Sequence, residues 1–262
     1  MKEQISKRAS RCGSFALSAR PETAPSKTPW LDGFEETDYS KFWETKRIED
    51  EAQKRVVRGM IRPGGACLDL GGGFGRMTKV LEPYFREVVM MDLTRRNLRT
   101  AKDTLAKAGL VRSDVSTIPA RDSSFDSVVM IRVVHLLPRP LETMKEVQRV
   151  SKDGAVLIIS VPNLVTNYMI REFDAKVLPG IRHVMPTFGP AVWPIGDKPR
   201  LSPHELFVPS RFRMTERRGT GMFDNFMGKA LNRFPWLHLI DVATSPFWYF
   251  KLDVFFRFEV RK

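Results

Sequence analysis

Nine consecutive residues constrain this chain more than any others: Leu68-Asp69-Leu70-Gly71-Gly72-Gly73-Phe74-Gly75-Arg76, an apolar run with one acid that passes into a glycine-rich turn. A second acid, Asp92, follows 21 residues after Gly71. Glycines at such a turn let the backbone approach a ligand at the start of a helix, and an acid about 20 residues on is placed to bind ribose hydroxyls. The pattern predicts the strand, turn and helix of an α/β fold that holds a nucleoside. Spacing narrows the ligand further. A dinucleotide fingerprint needs glycine at 71, 73 and 76, but position 76 is Arg76, and no Lys-Ser/Thr pair follows Gly75. Phosphate recognition is disfavoured.

Around this turn, apolar runs and amphipathic stretches alternate. Residues 67–70, 87–92, 110–114, 125–131 and 155–161 read as strands, and the unbroken run Ala155-Val156-Leu157-Ile158-Ile159 suits a strand buried on both faces of a parallel sheet. Helices are expected at 75–85, 94–108 and 138–150, the last stopped by Lys152-Asp153-Gly154. Upstream, Tyr39, Phe42 and Trp43, then Ile48, Ala52, Val56 and Met60, form an apolar stripe that predicts one helix over 38–61. Alternation of this kind implies a doubly wound, mostly parallel sheet with its ligand at the carboxyl ends of the strands.

Beyond Asn163 the pattern changes. Residues 162–209 hold eight of the 18 prolines, which predicts an irregular insertion or lid over about 164–209. From Phe223 onward the chain is dense in aromatics, including Phe247-Trp248-Tyr249-Phe250 and Phe255-Phe256. Here 211–218 reads as a sixth strand, 223–234 as a helix and 251–260 as a last strand, and the aromatics could wall an apolar substrate pocket. Residues 1–37 lack periodicity and read as a flexible N-terminal tail, leaving 38–262 as one domain.

A net charge of +13 invites a nucleic-acid reading, so its distribution matters. The excess is +1 over 1–37, +6 over 38–163 and +6 over 164–262, spread rather than gathered in an arm. A solvated basic surface accounts for this, with attraction to an anionic substrate, a membrane surface or RNA as the alternative. No apolar run approaches the roughly 18 residues that span a bilayer. The two cysteines, Cys12 and Cys67, define neither a disulfide framework nor a metal site. A cytoplasmic protein without metal is expected.

These residues carry a resemblance over about residues 38 to 163. Residues 68–78 match the first motif of the class I S-adenosylmethionine-dependent methyltransferases, and 88–98 match the second strand with its ribose acid. Arg112-Ser113-Asp114-Val115 matches the adenine side. Ile118-Pro119 and 124–129 match the approach to the fourth strand, and 141–163, with Glu146, Arg149 and Lys152-Asp153-Gly154, match the elements that close the core. The chain resembles the small-molecule, quinone-biosynthesis-like branch of that family. The resemblance implies a Rossmann-like methyltransferase fold of seven strands, the last antiparallel, with an N-terminal helix covering the cofactor S-adenosyl-L-methionine. It implies that Asp69 and the turn at Gly71, Gly72, Gly73 and Gly75 hold the methionine end, Asp92 with Leu93 the ribose, Asp114 and Val115 the adenine, and Ile131 the cofactor through its backbone.

Methyl transfer to oxygen or carbon of a small, partly apolar metabolite is the activity this implies, by in-line displacement in a dry site. His135, after the fourth strand, is the candidate general base, although the His-His pair of relatives is here His135-Leu136. His183 and His204 are further candidates near the pocket. The sequence Ile131-Arg132-Val133-Val134 lacks the Asn/Asp-Pro-Pro-aromatic signature of base amino-methylation, and no Pro-Cys nucleophile stands there. Two alternatives stay open: a methyltransferase acting on RNA, protein or a membrane-associated lipid or quinone, and a cofactor-binding regulatory protein without turnover.

Overall fold

Runs of Val, Ile, Leu and Met too apolar to face water on either side set the topology. The computed structural model describes residues 38–163, 211–221 and 234–262, apart from 45, 235 and 248–250. Strands β1 (Ala66–Leu70), β2 (Glu87–Asp92), β3 (Gly109–Arg112), β4 (Phe125–Ile131) and β5 (Ser151–Pro162) pair in parallel, and β6 (Phe212–Thr220) and β7 (Asp253–Val260) complete one seven-stranded sheet. Its order is β3-β2-β1-β4-β5-β7-β6, with β7 antiparallel to both β5 and β6. This is the doubly wound, Rossmann-like sheet expected, and the order reverses between β1 and β4.

Alternation along each strand divides the core into two layers. Leu68, Leu70, Met130, Leu157 and Ile159 pack with Met144, Val147 and Val150 of helix α5 (Pro140–Val150) on one face. Cys67, Met90, Val129 and Ile158 pack on the other, against α2 (Arg47–Met60), α3 (Thr78–Leu81) and α4 (Arg95–Thr104). Fully burying one such side chain stabilises by about 1.5–3 kcal/mol. Glu146 and Arg149 clamp the chain entering β4: Glu146 accepts from the Ile118 amide at 2.9 Å, and Arg149 donates to the Ile118 and Ala120 carbonyls, each at 2.8 Å.

Several boundaries differ from the sequence expectation. The helix over 38–61 is two helices, α1 (Tyr39–Glu44) and α2, so the apolar stripe serves two surfaces: α2 buries Ile48, Ala52, Val56 and Met60 in the core, while Tyr39 and Trp43 of α1 face a cavity. The helix expected at 75–85 contracts to α3 because the preceding residues stay in the turn. Strand β3 ends at Arg112, leaving Ser113 and Asp114 in a loop. Lys152-Asp153-Gly154 does not stop α5 ahead of β5 but lies inside β5, where the pairing with β4 shifts register between Phe125 and Ser127. Helix α6 (Leu237–Ala243) was not expected at all. The tail, the insertion over 164–209 and the helix expected at 223–234, save Phe234, lie outside the described residues.

Candidate active site at the carboxyl ends of β1 to β4

A cavity of about 220 Å³ opens where the strand order reverses, beside the glycine turn. Gly71 and Gly73 have φ of +74° and +60°, a region in which other residues are strained. At Gly71 a Cβ would also meet Val133 Cγ2 at 2.6 Å, so the turn lies tight against the loop after β4. At Gly73 a Cβ would meet nothing within 4 Å. Gly75 stands outside the cavity lining, contrary to expectation. It faces Leu105 and Ala101, with a Cβ there reaching Leu105 Cδ1 at 3.1 Å, so it lets the turn pack on α4 and its neighbouring loop.

Three acids meet at this edge. Asp69 sits one residue before the end of β1 and accepts a 2.6 Å hydrogen bond from Thr78 Oγ1. Burial pushes its carboxyl up to about 6, against the Thr78 hydrogen bond and Arg76, with Asp92 adding to the rise. Asp92 ends β2 and braces the turn: Oδ2 accepts from the Gly73 amide at 2.8 Å, and Oδ1 accepts from the Thr94 amide and hydroxyl, both at 2.9 Å. Asn97 Nδ2 also donates to Oδ1 at 3.3 Å. Asp114 follows β3 and caps its own turn, accepting from the Ser116 amide at 2.8 Å and hydroxyl at 2.7 Å. All three acids line the cavity with Gly71, Gly72, Gly73, Leu93, Val115, Ile131 and His135.

His135 lies in a short 3₁₀ turn, Val134–Leu136, at the far wall. Burial, with Arg132 adding, holds its pKa down to about 3, so the imidazole is neutral at physiological pH. His183 and His204 lie outside the described residues.

Other lining residues were missed from sequence. Arg132 takes a left-handed φ of +60°, and its guanidinium donates to both Asp253 oxygens at 2.6 and 2.7 Å. Asp253 begins β7, 121 residues away in sequence. Arg76 donates to Asp50 and Gln53 of α2, both at 2.7 Å, and lies 3.6 Å over the Trp43 ring. Gln53 in turn donates to Glu49 at 3.0 Å and Asp253 at 2.9 Å. Burial opposes ionisation of Glu49, but Lys46 and Arg132 outweigh it and lower its pKa, whereas burial raises that of Asp253 against the pull of Arg132. The network ties α1 and α2 to the glycine turn and the loop after β4. Only the polar residues within the stripe of α2 hinted at it. Tyr39 faces the same cavity, and burial, with Asp92 adding, raises its hydroxyl pKa to about 12.

Comparison with known proteins agrees with this geometry. Residues 68–159 match the family described as a methyltransferase domain. Residues 68–159 thus resemble a methyltransferase domain over about a third of the chain. A ubiquinone/menaquinone biosynthesis C-methyltransferase of Legionella pneumophila (strain Paris) is 29% identical over 133 residues, 47% of this chain and 49% of that protein. This chain thus spans about half the length of that curated relative. Among solved structures, a methyltransferase of Thermotoga maritima titled a possible histamine N-methyltransferase aligns with a TM-score of 0.61 at 14% identity, over 90% of this chain and all of its own. The [4+2]-cyclase SpnF aligns with a TM-score of 0.52 at 14% identity, covering 81% of this chain and 80% of its own. At such identities the likeness speaks for the fold alone, and a cyclase on the same fold shows that function lives in the site.

Among the described residues no helix is long and apolar enough to cross a membrane, and no cluster of His, Cys, Asp or Glu could hold a metal.

Proposed function

We propose that this protein transfers a methyl group from S-adenosyl-L-methionine to oxygen or carbon of a small, partly apolar metabolite. The observation that carries the reading is the convergence of Asp69, Asp92 and Asp114, from three neighbouring strand ends, on the cavity beside the glycine turn. The open space above Gly73 fits a ligand pressed close to the backbone there. In this reading Asp69 and the turn amides hold the methionine end, Asp92 and Leu93 the ribose, Asp114 and Val115 the adenine, and Ile131 contributes its backbone. Gly75 acts by packing.

When bound, the cofactor supplies an electrophilic methyl group on a sulfonium. The chain's own task is alignment and exclusion of water, which can account for about 7–11 kcal/mol of barrier in well-oriented reactions. Val133, Leu136, Leu137 and Trp43 give the acceptor side its apolar walls. His135, neutral with a pKa near 3, positions the acceptor by hydrogen bonding and is too weakly basic to take a proton of high pKa. The buried free thiol of Cys67 suits a reducing, cytoplasmic compartment.

The test pairs calorimetry with transfer. Wild type should release heat on titration with the demethylated cofactor and move labelled methyl into a metabolite extract, and Asp92→Ala should do neither. Label found only in RNA or protein would overturn the acceptor class. Cofactor binding without turnover on any extract would favour a regulatory protein.

A further inference from the structure

The cofactor cavity does not account for the net charge of +13. Part of that charge gathers in a second cleft, of about 380 Å³, beside α2 and α3. Lys54 and Arg58 stand one turn apart on α2 and so share a side of it. Arg76, just before α3, and Lys79, within it, line the same cleft, to which Pro83 and Tyr84 add apolar surface. Among the described residues no acid lines it.

The four cations are not alike. Arg76 keeps 9% of its side-chain surface and is held by Asp50 and Gln53, so it forms a fixed wall shared with the cofactor cavity. Lys54 pairs with Asp50 at 2.5 Å and with Glu51 at 3.1 Å. Arg58 and Lys79 are exposed, and their side chains make no ion pair or hydrogen bond with any described residue. Asp50 and Glu51 thus answer two of the four charges, and two remain. A phosphate monoester carries about two negative charges at neutral pH and takes charge-assisted hydrogen bonds from arginine and lysine. Pro83 and the Tyr84 ring suit an apolar body attached to that phosphate. We propose that this cleft binds a small phosphate monoester, its phosphate held by Arg58 and Lys79. The proposal stands on the cleft's own residues and holds whether or not methyl transfer is the reaction.

Calorimetry on the full chain tests it, with phenyl phosphate, inorganic phosphate and phenol as probes. Wild type should bind phenyl phosphate more tightly than inorganic phosphate and should not bind phenol. Affinity for phenyl phosphate should rise from about pH 5 to about pH 7, as the second proton, of pKa about 6, leaves the phosphate. Arg58→Ala/Lys79→Ala should lower that affinity at least about tenfold, since two charge-assisted bonds are lost. Arg58→Lys should lower it less, and Arg55→Ala, at an exposed α2 site outside the cleft, should leave it unchanged. Melting temperature and affinity for the demethylated cofactor should be unchanged in every variant, which separates this cleft from the cofactor site. No binding of phenyl phosphate by wild type would overturn the proposal, as would equal affinity in the double variant. A last arm titrates oligouridylate with and without a 5′-phosphate. Affinity that grows with strand length and ignores the terminal phosphate would overturn the monoester and assign these cations to a nucleic-acid backbone.

Discussion

The two halves of the sheet bury their acids in different ways. At the ends of β1 to β3 the partners are close in sequence: Asp69 with Thr78, Asp92 with Gly73 and Thr94, Asp114 with Ser116. Most of these donors are backbone amides or hydroxyls, which leaves carboxylate capacity for a ligand. On the far side of the switch point, buried acids meet cations: Asp253 with Arg132, Glu49 with Lys46, Asp241 with Lys251. Those acids hold the fold together, and the first group holds a site open. Removing a residue from either half should therefore fail differently.

The sharpest contrast is expected at the buried ion pair, where both side chains of Lys251 and Asp241 keep 1% of their surface. Lys251→Met strands a buried carboxylate and should cost about 3–5 kcal/mol in denaturant unfolding, with little change in cofactor affinity measured on the folded fraction. A loss under about 1 kcal/mol would mean that water reaches Asp241 and that the contrast is false. Asp92→Asn should do the reverse. It keeps the side chain's size but weakens hydrogen bonds to a charged acceptor, each worth about 1.5–3 kcal/mol, so calorimetry should show cofactor affinity lower by about ten- to a hundredfold.

Acidity offers a subtler probe of the cofactor half. The folded pKa of Asp69 lies above its ordinary value, so the folded chain binds this proton more tightly than the unfolded one. Asp69 therefore costs stability as pH rises from the ordinary 3.8 to about 6, and no more above that. Unfolding of Asp69→Asn alongside wild type should show the difference moving in the variant's favour across that window and flat beyond it. A flat difference throughout would place Asp69 in contact with water. The smallest effects are expected at the turn: Gly73→Ala should cost about 1–2 kcal/mol from its left-handed backbone alone, and Gly71→Ala more, because its Cβ also meets Val133.

The same division describes what could be read in advance. The five parallel strands emerged from local patterns, because glycine turns, strand-end acids and apolar runs act on near neighbours, while the antiparallel last strand and the residue set of which nine of ten line the cavity were implied by the family resemblance. Gly75 showed the limit of motif reading, since a glycine that serves a helix looks in sequence like one that serves a ligand. Arg132 gave no signal at all, as its partner Asp253 stands 121 residues away. The break between α1 and α2 was hidden because one continuous apolar stripe served two different surfaces.

By itself, the order of residues determined an α/β sheet with a nucleoside-sized opening at its reversal point, since hydrophobic periodicity and glycine backbone freedom are properties of short segments. Tertiary structure decided which cations neutralise the distant acids and which aromatics close over the cavity. Those outcomes depend on how burial balances charge between segments far apart in the chain, and no local pattern encodes that balance.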